Sequence, residues 1–185
     1  MNIKQELVQY YRWLREYGLN DSHSGNLSVR DGDKIWVTPT GACADTLQEN
    51  DLIECALDAP PPTGTTLDAA LHLAVYKQNH AANAVMHSHG AHTVAMTLDG
   101  NDFVPADFEG QYYFASVPVL NIAYDDYLDE APERVARVLS NNKIVVVRGH
   151  GVYAQAESLN LAYKWTCSLE MSAKTAWLAK QAGTL

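Results

Sequence analysis

The chain has 185 residues, enough for one sizeable hydrophobic core, and a formal net charge of -9. Its lysines and arginines are scattered, so there is no basic patch to neutralise phosphates and a nucleic-acid partner is excluded. An anionic small molecule would have to be held by backbone amides, hydroxyls, a few chosen cations or a metal. Cys43, Cys55 and Cys167 are odd in number and far apart, which suits a reducing compartment and argues against a disulfide framework or a zinc finger. No apolar run approaches the roughly 18–20 residues that span a bilayer, and the start, "MNIKQELVQYYRWLREYG", has no signal-peptide pattern. The expectation is a cytoplasmic protein with no membrane partner and a single domain over 1–185.

In chain order, "IKQELVQYYRWLREYGL" carries apolar residues at helical spacing and predicts a helix stopped at Gly18. In "NLSVRDGDKIWVTPTG" two β-prone runs flank Asp31-Gly32-Asp33, a hairpin signal. "DLIECAL" predicts a strand, and "APPPTGTT" a proline-rich loop. "TLDAALHLAVYKQN" predicts a helix capped by Thr66, with Leu67, Leu71, Ala74 and Val75 on one face. "NAVMHSH" reads as a buried strand with a polar edge, "GAHTVAMTL" as a short helix, "DFEG" as a solvated loop and "SVPVLNI" as a strand. "APERVARVLSNN" predicts a helix opened by Pro132 near its first turn. "KIVVVRGHGVYAQA" gives two strands around Gly149-His150-Gly151, and a long helix runs from Ser158 to Gln181. Strands lie between helices and also pair as hairpins. The expected class is therefore α/β or α+β, a three-layer α/β/α arrangement around a mixed, largely antiparallel sheet.

Within that frame "AVMHSHGAHTVA" places three histidines in six positions. Strand alternation puts His87 and His89 on one face, with Cα atoms about 6.5–7 Å apart, and two imidazoles so placed can converge on one ion. The plainer alternative is a polar strand end. His150 also leaves a buried strand, between two glycines that let the backbone turn sharply, and would complete an open tripod with a position left for substrate. Asp68 stands one helical turn before His72. It can complement the helix dipole or pair locally with His72.

"SGNLSVR", "VTPTGA", "LHLAVY", "VMHSHGAHTVA" and "RGHGVYA", in this order and at these intervals, resemble the class II aldolase/adducin family over about residues 5 to 180. The resemblance implies that His87, His89 and His150 are metal ligands, for Zn2+ first, with Mn2+ or Co2+ as alternatives, and that His92, outside the metal positions, is structural or backs the ligands. It implies a phosphate cradle at Gly25, Asn26, Thr40, Gly41 and Thr66. Leu67 stands where family aldolases carry a second hydroxyl, and His23 where a hydroxyl is common. Asp68 falls at the position of the basic glutamate of fuculose-phosphate aldolases, one methylene shorter. Glu109 aligns with the acid/base glutamate of methylthioribulose-phosphate dehydratases. The ribulose-phosphate 4-epimerases need a further aspartate near Gln111, which cannot transfer a proton.

The implied activity is a metal-dependent lyase that cleaves a small hydroxy-ketone, a sugar or a sugar phosphate by retro-aldol chemistry. Asp68 and Glu109 are its proton-transfer groups, and the divalent ion spreads the carbanion charge as an enediolate. A decarboxylase or dehydratase of the same family is the alternative, and a non-catalytic adducin-like module a further one. The family implies a homotetramer with active sites near subunit boundaries.

Overall fold

The structure is a computed structural model that describes residues 2–185. Helix α1 (Ile3–Glu16) opens with a capping box between Asn2 and Gln5, which satisfies amides that the first turn cannot pair internally. It ends where the sequence places the stop, with Gly18 at φ 72°. Strands β1 (Asn26–Asp31) and β2 (Lys34–Val37) form the expected hairpin, and β3 (Ile53–Ala56) adds to β2. There follow α2 (Ala69–Gln78), β4 (Ala84–Ser88), α3 (Ala91–Met96), α4 (Phe108–Tyr113), β5 (Val119–Leu120), α5 (Tyr127–Leu139), β6 (Ile144–Val147), β7 (Gly151–Ala156) and α6 (Leu159–Ala182).

The seven strands make one sheet in the order β3-β2-β1-β4-β7-β6-β5. Every pairing is antiparallel except β5 with β6, so the sheet is mixed and largely antiparallel, as expected. Its central strands are apolar on both faces because both are covered. Leu27, Met86, Val146 and Ala154 point into a core closed by α1 and α6. Ile35, Val85, Val145 and Tyr153 point into a second core closed by α2 and α5. The α/β/α layering follows. Among the described residues no helix is long and apolar enough to cross a membrane.

Four local expectations need correction. "DFEG" is not a free loop. Asp107 caps α4, its Oδ2 accepting from the Gly110 N–H at 2.9 Å, and a helix of six residues is too short to show a period. Pro132 lies inside α5, which begins five residues earlier at Tyr127. Its ring lacks the N–H that would pair with the Leu128 carbonyl, in the first turn of the helix. Thr66 does not cap α2. Asp68 occupies the cap position without a side-chain cap bond, and Leu67, at 74% exposure, is off the buried face. Only two residues of "SVPVLNI" form a strand.

Candidate metal and substrate site

The site lies where β4 and β6 end and β7 begins. β4 delivers His87, buried between β1 and β7 and paired with Asn26 and Tyr153 across the sheet. Its Nδ1 lies 2.9 Å from the Val152 carbonyl, an acceptor, so Nδ1 carries the proton and Nε2 keeps its lone pair. The ring lies flat on Tyr153, with centroids 4.1 Å apart and planes 2° apart. His89 sits one residue past the strand end. Its N–H donates to the Leu19 carbonyl at 2.8 Å and to Asn20 Oδ1 at 2.9 Å. His150 comes from the turn between β6 and β7. Gly151 beside it has to be glycine: a Cβ there would stand 2.7 Å from His89 Cδ2 and 3.0 Å from His87 Cε1.

These three imidazoles form the one His/Cys/Asp/Glu cluster of metal-ligating geometry among the described residues, with ligand atoms within 4.8 Å of one another. The Nε2 atoms of His87 and His150 are 3.2 Å apart. Tetrahedral bonds of about 2.0–2.1 Å would put two nitrogens about 3.3–3.4 Å apart, so this pair fits such an ion. Burial pushes all three rings toward the neutral form that a metal requires. It holds His87 well below the ordinary range despite the attraction of Asp68. His89 is brought down to about 4 by burial and then by His150, and His150 is lowered by burial.

Asp68 reaches the same place from the start of α2. Its carboxylate is buried and accepts from Asn26 Nδ2 (2.8 Å), Tyr127 OH (2.7 Å) and Tyr153 OH (2.9 Å). With both protons directed at Asp68, the two phenol oxygens lie against each other. Asp68 Oδ2 is 3.8 Å from His87 Nε2. Burial opposes its charge, yet His87, the Asn26 amide and the Tyr127 phenol together hold the carboxyl well below the usual carboxylate range. Burial, and then the Asp68 charge, raise both phenols. The expected local pair with His72 is not formed. His72 Nδ1 bonds Ser28 Oγ instead, at 2.8 Å.

The histidines and Asp68 line a cleft of about 870 Å³, together with His23, Gly25, Asn26, Thr40, Gly41, Thr66 and Leu67. Tyr127, on α5, lines it too, and its ring packs on His150 at 4.6 Å. The backbone amides of Thr40 and Thr66 are already paired with Gly64 and Thr38, which leaves their hydroxyls as donors to the cleft. Arg148 is the one lysine or arginine among the described residues lining it, and its Nε is engaged by the Leu98 carbonyl at 2.7 Å. Glu109 does not line this cleft. It is exposed on α4, packed on the α6 side of the sheet, and accepts from Tyr113 OH at 3.0 Å. His92 is held by Glu170 and packs on Trp177.

Sequence reasoning missed Tyr127, Tyr153 and Glu170. Tyr153, two residues past Gly151 in "RGHGVYA", had the nearest signal, since strand alternation from Gly151 puts the two on one face.

The family model described as the class II aldolase and adducin N-terminal domain matches residues 5–177. The L-fuculose phosphate aldolase of Methanocaldococcus jannaschii is 28% identical over 92% of this chain and 93% of its own. The 3-oxo-tetronate 4-phosphate decarboxylase of Haemophilus influenzae is 30% identical over 92% of this chain and 85% of its own. The crystal structure of L-fuculose-1-phosphate aldolase from Thermus thermophilus superposes with a TM-score of 0.92 at 30% identity, covering 98% of this chain and 95% of that one.

Proposed function

The chain belongs to the class II aldolase and adducin family, and from that premise we propose that it is a metal-dependent lyase cleaving a small hydroxy-ketone or sugar phosphate by a retro-aldol reaction. The observation that carries this reading is the convergence of three neutral imidazoles beside a buried carboxylate in an open cleft. Desolvating that many polar groups side by side costs stability, and a purely structural role would give no return for it. When bound, a divalent ion, Zn2+ first, with Mn2+ or Co2+ as alternatives, would polarise a substrate carbonyl and stabilise negative charge developing beside it.

The rest of the chemistry falls to the chain's own groups. Retro-aldol cleavage takes a proton from the hydroxyl that becomes an aldehyde and returns one to the carbon left behind. Asp68 is the proposed proton-transfer group at that carbon. Three donors fix its orientation and hold it ionised, able to accept a proton. Gly25, Asn26, Thr40, Gly41 and Thr66 form the proposed phosphate cradle at the same end of the cleft, and Asn26 joins the two by donating to Asp68. Glu109 is the proposed acid/base for the departing half. From its place on α4 it must be supplied to the cleft of a neighbouring copy, which suits a homotetramer. Phe108 beside it is 90% exposed and offers apolar surface for that contact.

Decarboxylation of a related keto acid is the second reading, favoured by the similarity to the Haemophilus influenzae decarboxylase. It needs a proton donor at the carbon but no base to open the bond. A panel of hydroxy-ketones and β-keto acids, each with and without phosphate, run on metal-loaded protein, separates the two. Aldehyde release from a hydroxy-ketone supports the lyase proposed here; carbon dioxide from a keto acid with no aldehyde from any substrate overturns it.

A further inference from the structure

Glu170 is the single acidic residue in the 24-residue α6, and it is aimed at the turn that follows His89. Its Oε1 accepts from the His92 backbone N–H at 3.0 Å and from His92 Nδ1 at 2.7 Å. Its Oε2 accepts from the Thr93 backbone N–H at 2.9 Å and the Thr93 hydroxyl at 2.8 Å. The two backbone amides are free donors of the first turn of α3, whose cap residue, Gly90, has no side chain to satisfy them. Glu170 supplies the missing cap from a different helix, and its charge complements the positive end of α3. Gly90 leaves it room, because a Cβ there would overlap Glu170 Oε2.

This matters for His89 because of how the three rings differ. The His87 ring is fixed by its bond to Val152 and by stacking on Tyr153. Among the described residues no hydrogen bond orients the His89 ring, so its direction depends on its backbone. That backbone is pinned on the near side by Leu19 and Asn20. On the far side the next pinned amides are those of His92 and Thr93, both held by Glu170. We propose that Glu170 is a positioning residue for His89, clamping the turn at 90–93 so that this imidazole is aimed at the ion before the ion arrives. The inference rests on the metal reading above.

The test is a titration of metal-free protein with Co2+ alone, following visible absorption. Glu170→Gln keeps the size of the side chain but replaces one acceptor oxygen by a donor that faces N–H groups. Removing an outer partner of a ligand typically costs about 10–100-fold in metal affinity, and that loss is expected here, with altered band intensities. Gly90→Ala displaces the same carboxylate from the other side and should weaken binding in the same way, which covers the case of a Gln variant that does not fold. Leu139→Ala is the control. It removes a fully buried side chain at the end of α5, in the core on the other face of the sheet from α6, and should lower stability while leaving Co2+ affinity at the wild-type value. Wild-type affinity and spectrum in both Glu170→Gln and Gly90→Ala, or an equal loss in Leu139→Ala, would overturn the positioning role and leave the metal site standing. A wild-type protein that takes up no Co2+ would overturn both together.

Discussion

Replacing His72 by glutamine should make the protein markedly less sensitive to acid. His72 is fully buried on α2, with Nδ1 on Ser28 Oγ at 2.8 Å and Nε2 without a partner. Burial lowers its pKa from the ordinary 6.5 to about 4, with the Asp68 charge opposing the shift. The sign follows from proton counting. Between those two values the unfolded chain binds a proton at this residue and the folded chain does not, so stability present above pH 6.5 is lost as pH falls toward 4. From pH 7 to pH 5 the loss from this one residue is about 2 kcal/mol, or about 4–8 °C in Tm for a chain of this length. Urea unfolding of metal-free wild type and His72→Gln at both pH values isolates it, because the other depressed histidines act in both proteins and cancel in the difference. Glutamine loses some stability at pH 7 but should fall by about 2 kcal/mol less on acidification. Parallel pH profiles for the two proteins would refute the burial argument.

Further outcomes follow from the site itself. Tyr127→Phe, which removes one charged hydrogen bond from Asp68, should lower kcat about ten- to a hundredfold in steady-state assays, with Co2+ affinity unchanged. Thr40→Val should raise KM about tenfold for phosphorylated substrates only, leaving kcat nearly as it was, since a lost phosphate contact is uniform binding. Saturating metal-free protein with Zn2+ at a hundred times its Kd should stabilise it by about 2.7 kcal/mol, read in a thermal melt as a rise of roughly 5–10 °C that a chelator reverses. Solvent deuterium should still enter the ketone product in Glu109→Gln and stop entering it in Asp68→Asn. The reverse pattern would make Glu109 the primary base and move the reading from aldolase to dehydratase.

The parts of the site that were legible in the sequence are those set by local geometry. Strand alternation and the Gly-His-Gly turn foretell the three histidines, because each stands at or just past the end of a short apolar run whose direction is known. The groups around Asp68 were not legible. Tyr127 and Tyr153 lie 59 and 85 positions away from it, and only the packing of α5 and β7 brings their hydroxyls to its oxygens. Reading Pro132 as the first turn of α5 also left Tyr127 outside any helix. Treating Asp68 as a partner of His72 failed because donors from β1, α5 and β7 engage its oxygens instead. Glu170 sits in mid-helix, where a lone acid normally faces solvent, and nothing local marks it as the cap of a helix far earlier in the chain.

The most direct measurement is the metal content of purified wild type and of four single alanine variants, by elemental analysis after exhaustive dialysis. The tripod requires about one divalent ion per chain in wild type and in His92→Ala, and the loss of most of it in His87→Ala, His89→Ala and His150→Ala. An unchanged ion content in His150→Ala, or a wild type that carries none and takes up none, would contradict it.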